Sequence, residues 1–174
     1  ANTRQMTRAA GTAAIMYGVA AQGVSDTMLK QQRSTIARAA TPQAAGRNPV
    51  LALYLMDGQK GTLDPDHEAH AAPVLHWAMA WWEQWAPVET LVTAYDDVKQ
   101  KFQDKHPSWN AVAGPSAALW MTLNRIGWAW KAAHLFQDDV GEWWDTRRDS
   151  PSVIGNAVKR AVRRRRLKAV SGIH

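Results

Sequence analysis

Seven cations close this sequence with no acid among them: Lys159, Arg160, Arg163, Arg164, Arg165, Arg166 and Lys168. An arginine guanidinium is a planar fork of N–H donors that fits two phosphate oxygens, and a run of them can neutralise a phosphate backbone. The charge is segregated along the chain. Residues 1–149 hold 14 Lys/Arg against 15 Asp/Glu, a net of −1, whereas residues 150–174 hold seven Lys/Arg and no acid, a net of +7. Only this last stretch can attract an anionic partner over a distance. Contact with about five or six phosphates would give salt-dependent, sequence-independent affinity for nucleic acid. The same stretch carries an apolar stripe, so an anionic membrane surface or an acidic protein face is the alternative partner.

Tryptophan is the second unusual feature, at ten residues of 174. Trp77, Trp81, Trp82 and Trp85 recur at helical spacing and read as a core or interface stripe rather than as base-stacking platforms. Trp143 and Trp144 are adjacent. In a strand they would point to opposite faces, one inward and one outward. Trp77, Trp81, Trp85, Trp143 and Trp144 are therefore the candidate aromatic interface.

No constellation points to catalysis. Tyr95-Asp96-Asp97 pairs two carboxylates, as two-metal phosphoryl chemistry does, but the pair falls within a helical pattern and no further carboxylate is signalled. A solvated helix face is expected there. His67 and His70 share a helix face at i and i+3 with Asp64 or Glu68 nearby, but there is no His-Glu-x-x-His arrangement and no third ligand. Ordinary, partly exposed histidines are expected. No Gly-rich phosphate loop followed by Lys and Ser/Thr is present. Cysteine is absent, which excludes disulfides, thiolate metal sites and thiol catalysis. The expectation is a non-enzymatic chain without cofactor, metal or transmembrane segment.

The elements that must position these residues read as mainly α: a compact helical module with a small β-hairpin before a basic C-terminal helix. Residues 1–41 form an N-terminal helical segment, broken near Gly23–Asp26, with Ser25 as N-cap of its second helix. Residues 42–64 form a linker containing a short apolar run, 50–56, that suits helix or strand equally. Residues 65–149 form a Trp-rich helical core. It opens on Asp64 as cap and Pro65 at the first helical position, with Asp66 and Glu68 in the first turn. That helix is expected to reach about Trp85, kinked or split at Pro73. A helix from Val88 to about Lys105 follows, then an apolar stretch from Val112 to Ile126 that Gly114–Pro115 opens and Gly127 ends. The hairpin lies near 134–146. Residues 150–174 form the basic helix and tail. Ser150 is the cap, Pro151 takes the first position, and Val153, Ile154, Ala157, Val158, Ala161 and Val162 form a docking stripe.

Three stretches together resemble the region downstream of the palm in non-LTR (LINE-like) retroelement reverse transcriptases, of the kind abundant in dinoflagellates. The first is Ala13-Ala14-Ile15-Met16-Tyr17-Gly18-Val19 with Leu29 and the basic residues from Arg33 to Arg38. The second is Trp109-Asn110-Ala111-Val112-Ala113-Gly114-Pro115 with Leu123-Asn124-Arg125-Ile126-Gly127-Trp128. The third is Arg147-Arg148-Asp149-Ser150-Pro151 with Ala157-Val158-Lys159-Arg160-Ala161-Val162-Arg163-Arg164. The resemblance implies a thumb-like or connecting part, without the catalytic palm, whose role is to hold template and primer. The function expected is a non-catalytic module that contacts nucleic acid, RNA above all, or an accessory subunit of a ribonucleoprotein assembly. The alternatives are a structural subunit of a protein or membrane complex and a fragment of a retroelement reverse transcriptase. The expected setting is intracellular, in the nucleus or an organelle.

Overall fold

The computed structural model describes residues 23–40, 49, 52–53, 64–103, 105 and 108–171. Among them the order is α1 (Asp26–Ala40), α2 (Pro65–Trp82), α3 (Val88–Phe102), a 3-10 turn (Trp109–Ala111), α4 (Pro115–Ile126), β1 (Ala129–Ala132), β2 (Leu135–Gln137), β3 (Trp143–Asp145) and α5 (Pro151–Ser171). The chain is mainly helical with one small antiparallel sheet, as its patterning implies. The helix expected before Gly23 lies outside the described residues. Of the 50–56 run, Ala52 and Leu53 are described; both are helical and buried.

Helix α2 forms the centre of the molecule, packed against α5, α4 and α1. It is buried nearly all round, which explains its alanine-rich sequence: small side chains let neighbouring helices approach from several directions. Asp64 caps it, its carboxylate accepting from the Asp66 amide at 2.9 Å. Pro73 lies inside the helix without splitting it. The helix ends at Trp82, earlier than its pattern suggests, because the next turn tightens. Gln84 takes a left-handed φ of 53°, and the Glu83 and Gln84 amides donate to the Met79 and Trp81 carbonyls. At its other face, Gly155 of α5 stands where an added Cβ would come within 2.7 Å of Leu75 Cδ2. A missing side chain sets how closely the two helices approach.

Ser25 caps α1 as its position implies, accepting from the Met28 amide at 3.2 Å. Helix α3 stops at Phe102, and α4 runs from Pro115 to a left-handed Gly127. The expected two-strand hairpin gains a third strand. β1 pairs with β2, and β2 with β3, in the order β1-β2-β3. The short β1 eluded periodicity because its residues Ala-Trp-Lys-Ala alternate too weakly to signal a strand. It nevertheless carries Trp130, whose ring meets Trp77 at 5.0 Å and Tyr95 at 5.1 Å, both edge-on. These contacts join α2, α3 and the sheet into one core, which α5 completes with Ile154, Ala157, Val158, Ala161 and Val162.

Candidate nucleic-acid interface

Helix α5 distributes its cations in two directions. Lys159 and Arg166 are seven residues apart, two helical turns, and so share a face. That face meets the first turn of α2, where Asp66 and Glu68 stand. Lys159 Nζ reaches Glu68 Oε1 at 2.8 Å. Arg166 Nε reaches Asp66 Oδ2 at 3.0 Å, and its Nη1 lies 3.1 Å from His67 Nε2. Arg164 turns toward the sheet, gripping Asp139 with two guanidinium nitrogens, one of them Nε at 2.8 Å from Oδ2. That hydrogen bond holds the Asp139 carboxyl below its ordinary range. Three of the seven terminal cations thus bind the helix to the body. The acids that partner Lys159, Arg164 and Arg166 come from outside the basic stretch itself. They lie 25 to 100 residues away in sequence, beyond what local patterning can show.

The other cations of the run differ in their surroundings. Arg160 is exposed, with its guanidinium 6.0 Å from the Trp144 ring centroid. Arg163 is half-buried, and Arg165 and Lys168 are exposed. Neither Arg163 nor Arg165 forms an ion pair among the described residues. Just upstream, Arg147 binds Asp145 and Arg148 binds Asp149, so the approach to α5 is neutralised locally.

Beside α5, a cleft of about 420 Å³ separates it from α1 and the end of α4. Arg33 of α1 lies 3.2 Å from Asp64 Oδ2 and 3.4 Å from Asp66 Oδ2, and Arg166 bridges the same two carboxylates from the opposite helix. Burial opposes ionisation of Asp66, but His70 and the two arginines overcome it and hold the carboxyl well below its usual range. Arg125 of α4 reaches Asp26 at 3.1 Å and donates to the Val24 carbonyl at 2.8 Å, with its guanidinium 4.2 Å from the Trp109 ring centroid. Lys30 and Arg165 also line this cleft. Lys30 was not singled out from sequence, and Arg33 and Arg125 entered only through the resemblance. The signal for them was weak, since isolated cations on two helices join Arg165 of a third in one cluster only when those helices pack.

The histidines depart from expectation. His67 and His70 are buried rather than partly exposed. His70 Nδ1 lies 2.6 Å from the Asp66 carbonyl oxygen and 3.2 Å from its carboxylate. Burial, reinforced by the charge on Arg166, pushes His67 down to about 4, so near neutral pH it is an uncharged acceptor for Arg166. Among the described residues no group of three metal-ligating side chains is brought together, and no helix is long and apolar enough to cross a membrane. Asp96 and Asp97 lie exposed on α3.

The aromatic candidates divide. Trp77 belongs to the core and donates its indole N–H to the Ala133 carbonyl at 2.8 Å, and Trp81 is half-buried against that core. Trp82, Trp85 and Trp143 are each 49% exposed. Trp144, across the pleat from Trp143, packs inward and donates to Asp138 Oδ2 at 3.1 Å. The pair behaves as strand alternation requires. No protein-family model, no curated protein and no solved structure matches this chain.

Proposed function

We propose that this chain is a non-catalytic module that contacts nucleic acid, RNA in particular, through cations of α5. The observation that carries this reading is the two-sided helix. Lys159, Arg164 and Arg166 anchor it, leaving Arg160, Arg163 and Arg165 along an ordered surface. Pre-ordering lowers the entropic cost of aligning several guanidinium groups with successive phosphates. The resemblance to the region downstream of a retroelement palm suits the same role, that of holding a nucleic-acid strand rather than making bonds. Three phosphate contacts should give log affinity a slope of about −2 against log salt for single-stranded RNA. Arg160→Gln combined with Arg163→Gln should cut that slope to about a third and weaken binding, while the fold, followed by circular dichroism, is unchanged. RNA affinity and salt slope equal to those of the unsubstituted chain would refute the reading.

A second reading is a structural subunit of a protein complex, supported by the half-exposed Trp82, Trp85 and Trp143. If substitution of these residues, rather than of the arginines, releases the chain from its native assembly, the second reading holds.

A further inference from the structure

We propose that the cleft between α1 and α5 binds a dianionic phosphate group carried by a small organic ligand, a phosphomonoester. Arg33 and Arg166 are matched by Asp64 and Asp66, and Arg125 is matched by Asp26. Lys30 and Arg165 line the same cleft and have no ion-pair partner among the described residues. The cleft therefore carries two positive charges beyond those its own carboxylates offset. A phosphomonoester carries about two negative charges near neutral pH.

The position of Arg165 strengthens this point. The buried stripe of α5 runs through Ile154, Val158, Ala161 and Val162, and helical periodicity next brings position 165 to that side. An apolar residue there would extend the core toward α1. The chain has arginine instead, and space lies in front of it. Burial holds Arg125 below its ordinary value, with Asp26 and Asp66 opposing that shift and the charge on Arg165 adding to it.

Size and lining suggest an ester rather than a bare ion. About 420 Å³ falls within the range of small-ligand sites, roughly 300–1,000 Å³. Leu29, Pro49, Val162 and Ala169 supply apolar wall beside the charged groups. A ligand with a dianionic end and a carbon-rich body matches both parts of the cleft, and a mononucleotide is one of suitable dimensions. This inference shares Arg165 with the RNA surface proposed along α5 and is separated from it by Lys30, which belongs to α1 and takes no part in that surface.

Calorimetric titration of the full chain with adenosine 5′-monophosphate, with adenosine and with inorganic phosphate tests the assignment. The monophosphate should bind at least tenfold more tightly than adenosine, and more tightly than phosphate alone. Lys30→Gln with Arg165→Gln should weaken it at least tenfold without lowering the melting temperature of the ligand-free protein, since neither side chain holds the fold through an ion pair. Arg160→Gln with Arg163→Gln should leave it unchanged while reducing RNA affinity, so the two proposals fail separately. The cleft assignment is overturned by absence of monophosphate binding at millimolar concentration. Equal affinity for adenosine, or equal weakening by the two double substitutions, overturns it as well.

Discussion

Arg165 and Arg166 are adjacent in sequence and differ in duty. Arg166 is only 11% exposed and bridges Asp64 and Asp66, whereas Arg165 borders the cleft without a carboxylate of its own. Removing one member of a buried ion pair leaves the other desolvated and unmatched, which costs far more than deleting an exposed charge. Arg166→Ala should therefore destabilise the fold by about 3 kcal/mol. Arg160→Ala should change it by no more than about 0.5 kcal/mol. Urea denaturation of the two variants measures both, and equal midpoints would show that the buried cluster contributes nothing particular. At this scale the sequence revealed the type of each residue but not its partner. Aspartates at the start of α2 were legible as helix-terminal acids, and their second use, as counter-charges for α1 and α5, was not.

Among the elements, α2 and α5 show most clearly how much periodicity conveys. The apolar stripe of α5, apart from Val153, which lies exposed, and its proline at the first position were visible in spacing, because burial of one helical face repeats every three or four residues. The closeness of that docking was not visible. It depends on Gly155 facing Leu75, a relation between residues 80 positions apart. Gly155→Val would place a branched side chain against Leu75, and overpacking of this kind costs about 1–3 kcal/mol. A matched loss in thermal stability, partly restored by adding Leu75→Ala, is the expected result. The sheet shows the converse. β2 and β3 were legible from their turn, where Asp138 Oδ1 accepts from the Val140 and Glu142 amides at 3.0 and 2.8 Å. β1 was not, because its strand character comes from pairing and from the core around Trp130 rather than from its own four residues.

At the scale of the whole molecule, the ion cluster ties α1, α2 and α5 together, so its titration acts on global stability. His67 is held at about 4 in the folded chain against an ordinary 6.5. Between these values the unfolded chain takes up a proton that the folded one refuses, so this contribution is present above pH 6.5 and is lost as the pH falls toward 4. From pH 7 to 4.5 the loss amounts to about 2–3 kcal/mol. Asp66 acts in the same sense at lower pH, since a carboxyl held below its ordinary range stabilises the fold until it is protonated. His67→Gln should flatten the stability profile between pH 6.5 and 4.5, measured as the urea midpoint at each pH. An unchanged slope would mean that His67 already titrates normally in the folded state.

The basic helix shows where sequence stopped and tertiary structure began. By itself the sequence determined that the chain is mainly helical, that its last described element is an amphipathic helix, and that all its excess positive charge lies there. These are consequences of short-range periodicity, capping and charge count. Only the tertiary structure decided which of those charges remain available. Lys159, Arg164 and Arg166 find acids across the fold, and Arg165 meets Lys30 of a distant helix across a cleft. The reason is that electrostatic pairing depends on distance in space, and chain separations of 25 to 100 residues become contacts only when helices pack.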